Sequence, residues 1–144
     1  NELAAEISHG CDGLEFTPYL RGTRREPARR ATFSGISMDN FTLGHRARAV
    51  LEGVVRELAG FYEKFEGIEA KSIAGAGNGL VKSALWREIT AREFGMPLYV
   101  TDFENAVYGA ALVAAEGLGY ARLEDGVFEY SHVCKPGSGN EHRE

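Results

Sequence analysis

A chain of 144 residues, 44% of them hydrophobic and 26% charged, has the size and balance of one globular domain that can bury its own core. Its net charge of −5 argues against a general nucleic-acid or membrane-surface binder, and no apolar run is long enough to span a bilayer. The two cysteines, Cys11 and Cys134, lack metal-ligand spacing and read as free thiols in a reducing compartment, so a cytoplasmic protein is expected. There is no signal peptide, and the start at Asn1 without Met suggests an excised domain.

Residues 1–12 read as a helix end running into a turn at Gly10, Cys11, Asp12 and Gly13. An extended apolar stretch over 14–20 is broken at Pro18, and residues 21–30 form a basic loop. Residues 31–37 alternate around Phe33 and Ile36 and predict a short strand. The clearest helix follows. Ala47, Val50, Leu51, Val54, Val55, Leu58, Phe61, Tyr62 and Phe65 keep helical spacing, which predicts a buried face that anchors the core. Thr42 is its expected N-cap and Gly67 its stop.

A short strand is expected over 71–74, running into Gly75-Ala76-Gly77-Asn78-Gly79. Ser83 caps a second helix with Leu85, Trp86, Ile89 and Phe94, ended by Gly95 and Pro97. A strand over 98–101 and a helix over 104–116 complete the regular part. An extended piece over 127–133 precedes a tail, 137–144, expected to be disordered. Strands alternating with helices imply an α/β domain with part of its sheet parallel.

Three motifs bear on chemistry. The glycine loop between strand and helix lets a backbone approach a ligand without a Cβ in the way, with amide donors at hand. A plain tight turn has the same residues. The loop is not a Walker A motif, because no Gly-Lys-Ser/Thr closes it. In the helix from Glu104, Ala106, Gly109 and Ala110 make a small-residue face that permits close packing against a sheet or a flat ligand; Gly109, Ala110 and Ala111 read as tight helix packing, and Glu104 suits the helix dipole. Arg21, Arg24, Arg25, Arg29 and Arg30 read either as a solvated loop or as a positive cleft edge that attracts a phosphorylated ligand, Arg24 being the candidate contact. His9, His45, His132 and His142 show neither metal nor triad spacing, and Asp102, just after a strand and the best candidate for a general base by position, reads rather as a turn residue.

Taken together these segments resemble the C-terminal domain of the FGGY carbohydrate kinases. Four stretches carry the resemblance in order: Gly10 to Leu14 with Pro18-Tyr19-Leu20 and Gly22-Thr23-Arg24; Ala31 to Ile36 with His45 and Ala49 to Gly53; Ile73 to Trp86; and Glu104 to Ala115. The longer glycine loop with Asn78, together with Asn40-Phe41-Thr42 and the run from Gly53 to Leu58, is closer to sedoheptulokinase-like members. Arg46 departs from the usual apolar residue after His45.

The resemblance implies an actin-like, ribonuclease-H-like ATPase domain over residues 1–136, a mixed sheet with flanking helices. It implies γ-phosphoryl transfer from Mg-ATP to a sugar hydroxyl, sedoheptulose among the acceptors; xylulose, glycerol or another polyol, and a non-catalytic actin-like nucleotide-binding module, stay open. Gly75, Ala76, Gly77, Asn78 and Glu104 would hold the nucleotide. The resemblance puts no catalytic residue and no metal ligand in this chain: the base, an Asp, and most of the magnesium site belong upstream, so the domain alone is expected to be inactive. Its expected partners are ATP, a sugar or polyol and the N-terminal domain of the same polypeptide, with no nucleic acid and no membrane; a homodimer is left open.

Overall fold

The computed structural model describes residues 2–67, 69–101, 105–126, 129–137 and 141–142. It divides into two units, Asn1–Glu69 with Arg92–Phe94, and Ala70–Ala91 with Gly95–Glu144.

In the first unit a short helix, α1 (Glu2–Ala5), precedes a 3-10 turn at Cys11–Gly13. Strands β1 (Glu15–Thr17) and β2 (Thr32–Ser34) pair antiparallel, Phe16 opposite Phe33. Their rings tilt together at 4.8 Å, and Phe41 meets Phe33 edge-on at 5.8 Å. Phe16 and Phe33, with Ile7, pack against a core of Cys11, Leu14 and Ala49. Helix α2 (Leu43–Tyr62) starts where expected: the Thr42 side chain accepts from the His45 amide.

The buried face of α2 differs from the expected one. Gly44, His45, Arg48, Ala49, Glu52, Gly53, Val55 and Ala59 are inside, while Leu58 and Phe61 are 54% and 51% exposed. The reason is close approach. A Cβ on Gly53 would collide with the Phe16 carbonyl oxygen, so the helix turns its small side to β1 and its broad apolar side outward. Leu43, Ala47, Val50 and Leu51 then line, with Leu3 and Ala4, a cavity of about 780 Å³. The helix also ends at Tyr62, short of Phe65. The Lys64 and Phe65 amides bond back to Phe61 and Tyr62, and Gly67 turns the chain at φ 76°.

The charged residues inside the first unit are organised around one carboxylate. Glu52, 2% exposed, receives the Arg48 Nε at 2.7 Å, the Gly10 amide at 3.1 Å and the Cys11 thiol at 3.7 Å, with His9 Nδ1 at 3.3 Å. Asn40, equally buried, accepts from the Ser37 amide at 2.7 Å and donates to the Asp12 and Gly35 carbonyls at 2.9 and 2.8 Å. His45 bridges Thr42 Oγ1 at 2.7 Å and Asp12 Oδ2 at 3.0 Å. Together these bonds fix the turn in which Cys11 and Asp12 both hold φ 50°, a conformation non-glycine residues rarely take.

Burial, and next the Glu52 carboxylate, push the Cys11 thiol up to about 12. The folded chain therefore keeps a proton that the unfolded chain releases from pH 9.0 upward, and stability falls as pH rises through that window. We expect iodoacetamide at about pH 8 to spare Cys11 in the folded protein and to label it after urea unfolding. Equal labelling rates in the two states would contradict the burial.

In the second unit β3 (Ile73–Gly75) and β4 (Leu98–Val100) pair parallel, Ile73 opposite Leu98. Strand β5 (His132–Cys134) pairs antiparallel with β4, and β6 (Glu141–His142) antiparallel with β5, giving a four-stranded mixed sheet. Part of the tail expected to be disordered is thus a strand. Helices α3 (Asn78–Lys82) and α4 (Ala84–Phe94) follow β3, and α5 (Asn105–Gly117) follows β4. Ala91, Leu98, Val100 and Cys134 form the core, with Ile73, Leu80 and Val81 packed against it. Burial raises the Cys134 thiol above its ordinary value as well. Among the described residues no helix is long and apolar enough to cross a membrane.

Candidate nucleotide-binding site

The structure brings Gly75, Ala76, Gly77 and Asn78 together as the link between β3 and α3, and each has a distinct place in it. Gly75 closes the strand, its carbonyl accepting from the Thr101 amide at 3.2 Å. A Cβ there would stand 2.7 Å from Leu80 Cδ1 and 2.9 Å from Leu98 Cδ1, so this glycine serves packing. Ala76 and Gly77 are exposed. Gly77 takes φ 103° and ψ 155°, a region open essentially to glycine alone, and nothing lies within 4 Å of its would-be Cβ. Its carbonyl accepts from the Leu80 and Val81 amides, both at 3.1 Å, and so starts the next helix.

Asn78 is the first residue of that helix and is exposed. Glycines flank it, so a loop is the natural expectation, yet Gly79 is helical for a packing reason. The ring of Trp86 lies under it, at 2.5 Å from a Cβ placed there. The short helix is also braced from below. Arg87, 3% exposed, donates through Nη1 to the Leu80 carbonyl at 2.6 Å and to the Val81 carbonyl at 2.8 Å. Ser83 Oγ accepts from the Trp86 amide at 3.2 Å, as its capping role required. Trp86 and Arg87 thus support the loop, a role that sequence reading did not assign. The lone tryptophan in a helix just after a glycine loop was the available signal; for Arg87 there was none.

Glu104 lies outside the described residues, as does Asp102. Arg24 belongs to the first unit and is exposed. The small-residue face of α5 is not the tight packing surface expected of it. A Cβ on Gly109 would meet nothing within 4 Å, and Ala110 and Ala111 are exposed. His9, Glu52 and Glu93 offer ligand atoms within 4.8 Å of one another, but Arg48 and Arg56 sit on Glu52 at 2.7 and 4.0 Å. Two guanidiniums at one carboxylate make that cluster an ion-pair network that repels a cation.

A glycine loop with one open, left-handed turn between a parallel strand and a braced helix occurs on many α/β scaffolds. Comparison with known proteins narrows it. The profile of the FGGY family of carbohydrate kinases, C-terminal domain, matches residues 1–118. The chain belongs to this family. Among its relatives, the xylulose kinase of Staphylococcus epidermidis is 35% identical over 136 residues, covering 88% of this chain and 26% of that protein. Human sedoheptulokinase is 28% identical over 113 residues, covering 77% of this chain and 24% of that protein. The ligand-bound xylulose kinase of Lactobacillus acidophilus superposes with a TM-score of 0.81 at 25% identity, covering 94% of this chain and 29% of the other. The FGGY domain therefore has the actin-like α/β fold, and it spans about a quarter of the length of these curated relatives.

Proposed function

We propose that the protein carrying this FGGY domain transfers the γ-phosphate of ATP to a primary hydroxyl of a sugar or polyol, and that this chain holds the adenosine. The observation that carries the reading is the open turn at Gly77 within a domain whose family profile covers residues 1–118. A flat base can reach the backbone of Ala76, Gly77 and Asn78 because no Cβ stands in front of them. Glu104 and the start of α5 would close the other side of the adenosine. Such backbone contacts discriminate little between bases.

Phosphoryl transfer depends on positioning and on neutralising charge. Loop residues 75–79 include no carboxylate, so magnesium would be held by the nucleotide phosphates and by the preceding part of the polypeptide. The same part would supply the Asp that accepts the sugar hydroxyl proton. Closure of the two halves would exclude water and align the attack.

Sedoheptulose is the first acceptor to test, because of the longer loop with Asn78 and the Asn40-Phe41-Thr42 segment. Xylulose is the second, supported by the staphylococcal relative. Both are ketoses with a terminal primary hydroxyl. A coupled ADP-release assay on the full-length protein, run against sedoheptulose, xylulose, gluconate and glycerol, should show release stimulated by one of them. ATP binding without stimulation by any sugar would replace the kinase with a non-catalytic nucleotide-binding module.

A further inference from the structure

The basic loop of the first unit borders a cavity of about 450 Å³, lined by residues of that unit alone. We propose that this cavity binds a small phosphate ester through Arg24 and Arg25. The inference does not rest on the kinase reading.

Charge is the first argument. Four cations, Arg24, Arg25, Arg29 and Lys64, line the cavity against two carboxylates, Glu26 and Glu57, in a chain whose net charge is −5. Both carboxylates are engaged in the wall. Glu26 Oε2 faces Arg29 Nη1 at 3.2 Å, and Glu57 Oε1 accepts the Tyr19 hydroxyl at 2.5 Å. That bond to Glu57 also raises the Tyr19 phenol above its ordinary value, keeping it a donor. Arg29 lies over the Tyr19 ring at 3.6 Å, and Lys64 Nζ stands 4.9 Å from the Phe61 ring. Arg24 and Arg25 line the cavity, are exposed, and have no hydrogen bond or ion pair among the described residues.

Geometry is the second. The loop that presents the two arginines is pinned. The Thr23 amide donates to the Glu26 carbonyl at 3.0 Å, and the Glu26 amide to Thr23 Oγ1 at 2.9 Å. At Gly22 a Cβ would sit 2.5 Å from the Pro27 carbonyl oxygen, so the turn is closed tightly. Guanidiniums on a fixed backbone lose less freedom on binding and match a phosphate dianion with paired donors. Tyr19 and Phe61 also line the cavity, with Arg29 and Lys64 set against their rings, and the cavity volume suits a small ligand.

The test is calorimetric titration of the full-length protein with ribose 5-phosphate and, in parallel, with ribose. The ester should bind and the free sugar should not, and added salt should weaken the ester. The R24Q/R25Q variant, changed only at exposed side chains, should fold normally by circular dichroism and bind the ester about tenfold more weakly or worse. Equal binding of ribose and its phosphate, or unchanged affinity in R24Q/R25Q, overturns the proposal. The Gly77→Val protein separates the two sites. Retained ester binding there supports a site independent of the nucleotide loop. Its loss would assign the binding to that loop and overturn the inference.

Discussion

Replacing Glu52 by Ala should destabilise the first unit by about 3–5 kcal/mol, the cost usual when one member of a buried ion pair is removed. The carboxylate is 2% exposed and the Arg48 guanidinium it faces at 2.7 Å is 3% exposed, so water cannot replace the lost charge. The same change takes an acceptor from the Gly10 amide at 3.1 Å and from the Cys11 thiol at 3.7 Å, both in the turn that leads into β1. Urea unfolding of the wild type and the variant, followed by circular dichroism, measures the loss. Glu52→Gln keeps an acceptor oxygen and the side-chain volume, so it should fall between the two. A loss below about 1 kcal/mol in Glu52→Ala would mean that the ion pair contributes no more than an exposed one.

Gly77→Val should abolish nucleotide binding by the full-length protein while its circular dichroism stays that of the wild type. At φ 103° and ψ 155° a β-branched residue carries a strain of about 1–3 kcal/mol or more, so the turn must take another shape. The residue is exposed and its would-be Cβ meets no atom within 4 Å, so the damage stays in the turn and does not reach the core. The altered turn displaces the backbone of Ala76, Gly77 and Asn78, the surface offered to adenosine. Titration with a non-hydrolysable ATP analogue reads the effect. Affinity unchanged from wild type would remove Gly77 from the nucleotide site.

The helix start at Thr42 and the strand-to-glycine transition at Gly75 were legible in the sequence because each depends on neighbours a few residues away. The burial of α2 was not. Its apolar periodicity is real, but the inward face was decided by the approach of β1 at Gly53, a contact between residues far apart in the chain. Glu52, Asn40 and Arg87 escaped for a related reason. Buried polar residues look like surface residues until their partners are known, and although Arg48 is one turn from Glu52, the Gly10 amide and the Cys11 thiol that also bond to this carboxylate are 42 and 41 positions away. The glycine loop itself was readable, but only Gly77 keeps the open, left-handed turn that a ligand could use. The family was legible because four separated segments agree in order, a signal that survives when each segment is weak.

The outward side of α2 has a practical consequence for anyone who produces this domain by itself. Leu43, Leu58 and Phe61 are all more than half exposed, and Leu43 adjoins the cavity shared with Ala47, Val50, Leu51 and Leu3. A continuous greasy ridge of this kind lowers colloidal stability however well the chain folds. Expressed alone, the fragment should pellet or run as concentration-dependent aggregates on gel filtration. Swapping Leu43 and Leu58 for Lys and Glu would keep it in the supernatant.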